Sequence, residues 1–584
     1  MTSTSTAETS PSYPVPSASA VALKDLRTDL RSAVWTAQSV ETLLGPQASA
    51  ALAREQRVPG LMRLADQHDA AAVLTRLFML GSSESAENIE CALPRLGYLG
   101  ALKLGLITSD HAGTYRACFD MRPHYAVVGD MSAGQEDTSV QQENAQNDSA
   151  TDGELAHSEH DEYGTRSAHE TQGAQGMPAG SEPDTVRAYN WWVISDLPQA
   201  VTGRSVHPDH VMGIGGATTS LLTMTIRNPQ EKALDLGCGC GIQALYLTTH
   251  TRHVVATDLS ERACAITRFN AALNNVELDV RCGSLYEPVQ GEKFDLIVSN
   301  PPFVITPHTL RSQGTLEYRD GGMQRDDIIG CVLREAPDYL RPQGVLQILA
   351  NWEINDGDDV ESNDPYHGWP ARLASWCQGV PLDAWVVQRD VLDPAQYVEL
   401  WMRDSAARRE HCEYEKTYAA WLADFHSAHV QAIGMGFVAC VPTPVGMESV
   451  HIYDTVNEGR IPAGHDVECA LAALRFAENL GNLEDLTLVR RADVTEERHF
   501  VPGQAEPQAL VLRQSGGMGR AFPVSTALSA LVGASEGEMS VGQILVALSV
   551  LLDEDVAQVR EYVMPMLPSL IRAGIVDIAE GVQL

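Results

Sequence analysis

From Lys232 onward, apolar strand-like segments alternate with amphipathic helical ones: KALDL, IQALYLTTH, VVATDL, ERACAITRFNAALNN, ELDVRC, FDLIVSN, a helix from about Asp326 to Leu340, and VLQILANW. Strands that are apolar throughout are covered on both faces, and the intervening helices are the crossovers a parallel ladder needs. The pattern therefore predicts a doubly wound α/β sheet. DAWVVQRD and GFVACVPT supply the last two strands, making seven. The mostly helical segment Pro394 to Ile433 between them is too long for a hairpin and reads as a substrate-side insertion.

Around this core the 584 residues divide by composition. Residues 1–19 are Ser/Thr/Pro-rich and read as a disordered tail. Residues 20–130 form a helical N-terminal domain, in which ALPRLGYLGALKLGLI followed by TYRACFDMRPHYAVVGD suits either a helix with a wing or a helical cap with a hairpin. Residues 131–185 hold twelve acids against the single base Arg166 and almost no aliphatic residues, too little apolar surface to offset ordering, so this is expected to be a disordered insertion. YNWWVISDL resumes the apolar pattern and should pair with YAVVGD, which makes residues 186–205 the end of the N-terminal domain. Residues 206–461 are the α/β domain. Residues 462–584 are an α+β C-terminal domain for which a winged helix and ordinary core packing are the two readings.

The net charge of −36 repels polyanions at long range, yet recognition depends on where Lys and Arg gather rather than on their sum. Eleven cysteines at irregular spacing, without a CxxC pair, argue against structural zinc and suit a reducing compartment. The N-terminus has no signal-peptide pattern, and no apolar run approaches membrane-spanning length. A cytoplasmic protein is expected.

Chemistry concentrates at two loops. In ALDLGCGCGIQ a strand ends at Asp235, and Gly237, Gly239 and Gly241 allow a tight turn to approach a ligand before a helix begins. The spacing is GxGxG rather than the GxGxxG of nicotinamide sites, and the next strand ends in Asp258, whose carboxylate can accept two ribose hydroxyls. The pair implies a nucleoside-type cofactor; a ligand-free strand-helix turn is the alternative. Ser284 and Leu285, after the third strand, stand where a loop meets a base, or form an ordinary polar turn.

The fourth strand runs directly into Asn300-Pro301-Pro302-Phe303. Two prolines fix φ and lack N–H groups, so the chain is rigid and the preceding carbonyls are free to accept. An amide or aromatic amine is a weak nucleophile because its lone pair is delocalised. If the Asn300 side-chain oxygen and the Pro301 carbonyl each accept one N–H, the lone pair is aimed at a methyl sulfonium and the developing charge is stabilised. Phe303 can stack on the flat target.

On these motifs the stretch from about Val206 to Trp352 resembles the class I S-adenosylmethionine-dependent methyltransferases of the small-domain group, with HemK-type glutamine methyltransferases and RNA base N-methyltransferases among them. The resemblance implies a Rossmann-like domain and S-adenosyl-L-methionine as cofactor. It implies that Asp235, Gly237, Gly239 and Gly241 hold the methionine end, Asp258 the ribose, and Ser284 with Leu285 the adenine. Asn300 through Phe303 become the target-nitrogen site, with Asn300 beside the cofactor. An Asp is common in the family where Ser284 stands. Phe303 is more typical of RNA-modifying members, whereas glutamine-modifying ones usually carry Tyr. A macromolecular substrate is implied: leading, a nucleobase amine in ribosomal or transfer RNA; alternatively, a glutamine amide of a translation factor; third, a noncatalytic cofactor-binding scaffold.

Other features carry less. Gly213, Gly215 and Gly216 precede a helix and either line the cofactor site or form its first turn. His207 and His210 lack further ligands in sequence, so no metal is expected. Tyr318 and Asp320 either close over substrate or are solvated turn residues. Cys238 and Cys240 read as small loop residues.

Overall fold

The computed structural model describes residues 14–110, 113–128, 187–203, 207–307, 323–355, 368–406, 411–456, 460–478 and 480–579. The acidic insertion 131–185, most of the 1–19 tail, and Tyr318 and Asp320 lie outside the described residues. Residues 14–19 belong to the tail yet run against the N-terminal helices, where Ser17 N–H donates to Leu104 O at 2.9 Å. The chain divides into two compact units, Met1–Gly216 with Cys238–Ser284, and Ala217–Gly237 with Leu285–Leu584.

The N-terminal segment gives α1 (Ala20–Ser32), α2 (Ala37–Ala53), α3 (Val58–Leu64), α4 (Ala70–Leu74), α5 (Ala86–Ala92) and α6 (Gly97–Lys103). Leu23, Leu26 and Leu30 recur at helical spacing on α1 and are fully buried. Thr36 and Ser39 form a capping box on α2, and Asp69 and Ser85 cap α4 and α5, satisfying amide donors that would otherwise be orphaned. The short strands β1 (Ile107–Ser109) and β2 (Tyr115–Ala117) form a hairpin, and Tyr115 also bridges Glu84. β3 (Phe119–Val128) and β4 (Arg187–Asp196) pair antiparallel with Tyr125 opposite Asn190, joining the YAVVGD and YNWWVISDL segments.

In chain order the α/β segment gives α7 (Gly216–Met224), β5 (Gln230–Leu236), α8 (Ile242–Leu247), β6 (Thr251–Asp258), α9 (Glu261–Leu273), β7 (Asp279–Cys282), β8 (Phe294–Ser299), α10 (Asp327–Glu335), β9 (Leu340–Asn355), α11 (Pro370–Cys377), β10 (Leu382–Leu392), α12 (Pro394–Ala406), α13 (His411–Ser427), β11 (Val430–Pro442) and β12 (His451–Thr455). Among the described residues the two units together contribute eight α/β-sheet strands, not the seven expected from the sequence. The additional one, β12, lies parallel to β10 with no fully buried residue. A five-residue half-buried strand has too short an apolar pattern to stand out in sequence.

In the second unit the strand order is β12-β10-β11-β9-β8-β5. β5, β8 and β9 are parallel, while β11 runs antiparallel to both β9 and β10, so the sheet is mixed. In the first unit β6 and β7 are parallel, and α9 ties to β4 through two side-chain amides: Ile194 N–H donates to the buried Asn270 Oδ1 at 2.8 Å and Trp192 N–H to Asn274 Oδ1 at 2.9 Å.

The C-terminal segment follows with α14 (Gly464–Ala472), β13 (Thr487–Arg490), β14 (Val494–His499), β15 (Ala509–Gln514), β16 (Ala521–Val524), α15 (Thr526–Ala534), β17 (Glu536–Ser540), α16 (Val541–Leu552), α17 (Val556–Val563), α18 (Leu567–Arg572) and β18 (Val576–Ile578). Its strands form two three-stranded sheets, β17-β13-β18 and β14-β15-β16, and Leu531, Leu545, Val559, Leu567 and Ile571 centre its core. No helix among the described residues is long and apolar enough to cross a membrane.

Candidate functional site

Parallel pairing places the two motif-bearing strand ends side by side. Asp235 on β5 lies opposite Val298 on β8, and the buried Ser299 hydroxyl donates to Leu236 O at 2.7 Å. Asp235, which is buried, and Asn300 therefore emerge at the same carboxyl edge, where ligands of parallel α/β sheets bind. Gly237 follows with φ 83°, and a Cβ built on it meets nothing within 4 Å, so the turn both requires glycine and leaves room beside it.

The chain just after the Asn300–Phe303 tetrapeptide is held by a later segment. Two residues beyond Phe303, the Ile305 N–H donates to Tyr397 Oη at 3.0 Å and the Ile305 carbonyl accepts from Trp421 Nε1 at 2.9 Å. Asn351 Nδ2 also donates to Tyr397 Oη, at 3.1 Å. Val304 and Ile305 are buried against Tyr397, Val398, Met402 and Trp421, and the Phe303 ring meets Trp401 edge-on at 6.3 Å. The helical insertion α12 and α13 is thus a buttress for the loop. The sequence marked that segment as lying on the substrate side but gave no sign that Tyr397 and Trp421 clamp Ile305.

In the first unit the remaining cofactor candidates form a local network. Gly239 N–H donates to Asp258 Oδ2 and Ser260 N–H to Asp258 Oδ1, each at 2.9 Å. Cys238 N–H donates to Thr257 O at 2.9 Å, and Gly241 N–H to Cys238 O at 2.7 Å. Gly239 has φ 52° with open space where a Cβ would stand; at Gly241, φ 82°, a Cβ would lie 2.7 Å from Thr267 Cγ2. Burial pushes the Asp258 carboxyl above its usual value, and the two N–H bonds oppose that. Gly283 N–H donates to Asp258 O at 2.9 Å; the next residue, Ser284, is exposed, and Leu285 has φ 45°. Cys238 and Cys240 are buried.

His207 and His210 come together with Asp196 in a group of metal-ligand type. The Arg262 guanidinium, however, bonds both oxygens of Asp196, and a fixed cation there opposes a second one. Despite burial, the hydrogen bonds from His207 and Arg262 hold the Asp196 carboxyl well below the usual range. Burial pushes His210 down to about 4. A second such group, His465, Cys469 and Asp577, lies in the C-terminal segment and has no signature in the sequence.

The second unit also contains a small, partly open cleft that reaches Phe303 and is lined from α7, β9, β10 and β11, with Ser220, Asn351, Arg389 and Arg460 among its polar lining. At the far end of β9, Arg325 pairs with Glu353 at 2.5 Å and with Asp424 at 2.6 Å, while Arg372 pairs with Asp326. Burial, reinforced by Asp326, pushes Glu353 up to about 7.

Parallel strands β5, β8 and β9 with a glycine turn and an Asn-Pro-Pro-Phe loop at their carboxyl edge fit a class I methyltransferase core. Residues 213–359 match the family model of the methyltransferase small domain, and residues 32–118 match a domain of unknown function (DUF7059). The chain is 31% identical over 147 residues to a protein named for N5-glutamine methylation in Methanocaldococcus jannaschii, covering 25% of this chain and 74% of that one. It is 34% identical over 123 residues to ribosomal RNA small subunit methyltransferase C of Alcanivorax borkumensis, covering 21% of this chain and 33% of the relative. It is 36% identical over 131 residues to release factor glutamine methyltransferase of Geobacter sulfurreducens, covering 21% and 46%. The chain belongs to the S-adenosylmethionine-dependent methyltransferases of the small-domain group. It spans between a third and a half of the length of the latter two relatives.

Proposed function

We propose that the protein transfers a methyl group from S-adenosylmethionine to a planar exocyclic nitrogen of a macromolecule, foremost a nucleobase amine in ribosomal or transfer RNA. The observation that carries this reading is the emergence of Asp235 and Asn300 at neighbouring carboxyl ends of β5 and β8, with Phe303 opening into a cleft. The residues fit the cofactor. Gly237 and Gly239 leave open space beside the backbone, and Asp258 offers a carboxylate to ribose hydroxyls. Asp235 and Gly241 would complete the methionine end, and Ser284 and Leu285 would meet the adenine.

When bound, the cofactor supplies an electrophilic methyl on a sulfonium. The chain's own part is placement: the Asn300 side-chain oxygen and the Pro301 carbonyl accept the two N–H groups of the target, Pro302 keeps the loop stiff, and Phe303 stacks on the planar group. Because the attacking nitrogen becomes positive during transfer, acceptors on its N–H groups stabilise the transition state more than the ground state.

A glutamine amide presents the same planar N–H₂, and relatives named for glutamine methylation favour that second reading. Purified protein incubated with methyl-labelled cofactor and fractionated lysate from cells lacking it discriminates the two. Label lost to nuclease and resistant to protease supports RNA; label lost to protease and resistant to nuclease moves the assignment to protein. Cofactor binding with no transferred label removes the catalytic reading in favour of a scaffold.

A further inference from the structure

The cleft beside Phe303 has an unusual lining for a chain with 77 acidic against 41 basic residues. Two arginines, Arg389 and Arg460, line it, and none of its lining residues is a carboxylate. The pairing of β10 with β11 explains how the first is presented. Gln388 lies opposite Gly436 and Asp390 opposite Met435, so Arg389 is the extra residue of a β-bulge. Bulges turn a side chain away from the regular pleat, and they are common beside active sites. Gly436, opposite the bulge, also lines the cleft, and a Cβ there would lie 1.9 Å from Val387 O, so the strands approach too closely for any side chain at the cleft floor.

Both guanidiniums keep donors to spare. Arg389 uses Nε on Asp390 at 2.6 Å and Nη1 on Ser220 Oγ at 3.4 Å. Arg460 donates Nη1 to Ser515 O at 2.6 Å and, among the described residues, has no carboxylate partner. Guanidinium pairs in a walled cleft recognise tetrahedral oxyanions through forked N–H bonds, and a local positive site of this kind overcomes long-range repulsion from the rest of the chain.

We infer that Arg389 and Arg460 form a phosphate-binding subsite that holds the backbone of a single-stranded polynucleotide while its target base reaches Phe303. This rests on the proposed methyl transfer to RNA and deepens it: the substrate is recognised through a phosphate near the modified base. Asn351 links the subsite to the catalytic loop, because it lines the cleft and donates to the Tyr397 hydroxyl that accepts from Ile305 N–H.

The test uses the full chain with saturating S-adenosylhomocysteine and a fluorescein-labelled single-stranded RNA containing all four bases, read by anisotropy across a salt series. Arg389→Gln and Arg460→Gln are each expected to weaken binding about tenfold. Each should also make the slope of log affinity against log salt shallower by about 0.7. A neutral methylphosphonate backbone of the same sequence should bind wild type and both variants alike. Cofactor affinity, measured separately, is the check that each variant is folded. Equal binding of wild type and both variants to the charged RNA overturns the subsite, as does preference for a glutamine-containing peptide that neither substitution affects. Because binding is read without turnover, arginine-dependent RNA binding in a protein that labels no RNA leaves the subsite standing and sinks the RNA-methylation reading alone. RNA labelling that survives both substitutions does the reverse.

Discussion

The glycine turn and the Asn-Pro-Pro-Phe loop leave adjacent strands at the same edge of a sheet, yet they owe their shapes to different parts of the chain. The turn is locally determined. Gly237, Gly239 and Gly241 occupy positive φ, Gly241 N–H closes on Cys238 O, and Asp258, at the end of the next strand, receives Gly239 N–H. The Asn-Pro-Pro-Phe loop is held from a distance by Tyr397 and Trp421, more than 90 residues further along. The difference teaches that the proposed cofactor turn is written into a short stretch of backbone, whereas the proposed target loop depends on the tertiary packing of an insertion.

The sharpest way to break that division is Asn300→Ala. With the acceptor gone, transfer should fall by about 10²–10³-fold, while affinity for S-adenosylhomocysteine, measured calorimetrically, stays near wild type. A matching loss of cofactor affinity would merge the two loops into one functional element. Gly237→Ala is the converse. A Cβ meets no protein atom but enters the open space assigned to the cofactor, and φ 83° strains any other residue. Cofactor affinity should drop about tenfold or more, against a stability loss of only about 1–2 kcal/mol by denaturant titration. Unchanged affinity would mean that this space is not where the cofactor lies.

Tyr397→Phe probes the buttress with a smaller expected effect. It removes the oxygen that satisfies Ile305 N–H and Asn351 Nδ2 while keeping the ring in the core, so stability should fall by about 1–3 kcal/mol. kcat should fall several-fold with cofactor affinity retained. If kcat is untouched, the insertion is only a structural wall.

This contrast also explains what could be read from the sequence. The alternation after Lys232, the GxGxG turn and Asp258 are local in chain, so periodicity and glycine spacing exposed them. The pairing of YAVVGD with YNWWVISDL was legible because each segment is long and apolar. β12 was missed because HIYDT is a short partly exposed strand with no distinguishing period. Tyr397, Trp421 and Arg389 were missed for another reason: nothing in PAQYVELW, AAWLADF or VVQRDV distinguishes core packing from a clamp or a bulge. Their roles exist only through partners such as Ile305, 92 and 116 residues away from the two clamping rings.

The smallest effect separates the two regions by their response to acid. In the unit containing Gly239 and Asp258, His210 is depressed from 6.5 to about 4 by burial, so between those values the unfolded chain takes up a proton the folded state refuses. Its contribution to stability is present above pH 6.5 and is lost as pH falls toward 4. In the unit containing the Asn-Pro-Pro-Phe loop, Glu353 is raised from 4.5 to about 7, chiefly by burial and then by Asp326, so the folded state keeps a proton that the unfolded chain has released. That contribution is present below pH 4.5 and is lost as pH rises toward 7. Relative to wild type, His210→Gln should therefore gain stability as pH is lowered from 6.5, and Glu353→Gln should gain as pH is raised from 4.5. The expected changes are about 2–4 °C in melting temperature for each kcal/mol, followed by scanning calorimetry of the full chain. Crossing trends would establish that the two units respond oppositely to acid. Parallel trends would show that one of the two groups is solvated and titrates at its ordinary value, removing this difference while leaving the contrast between the loops intact.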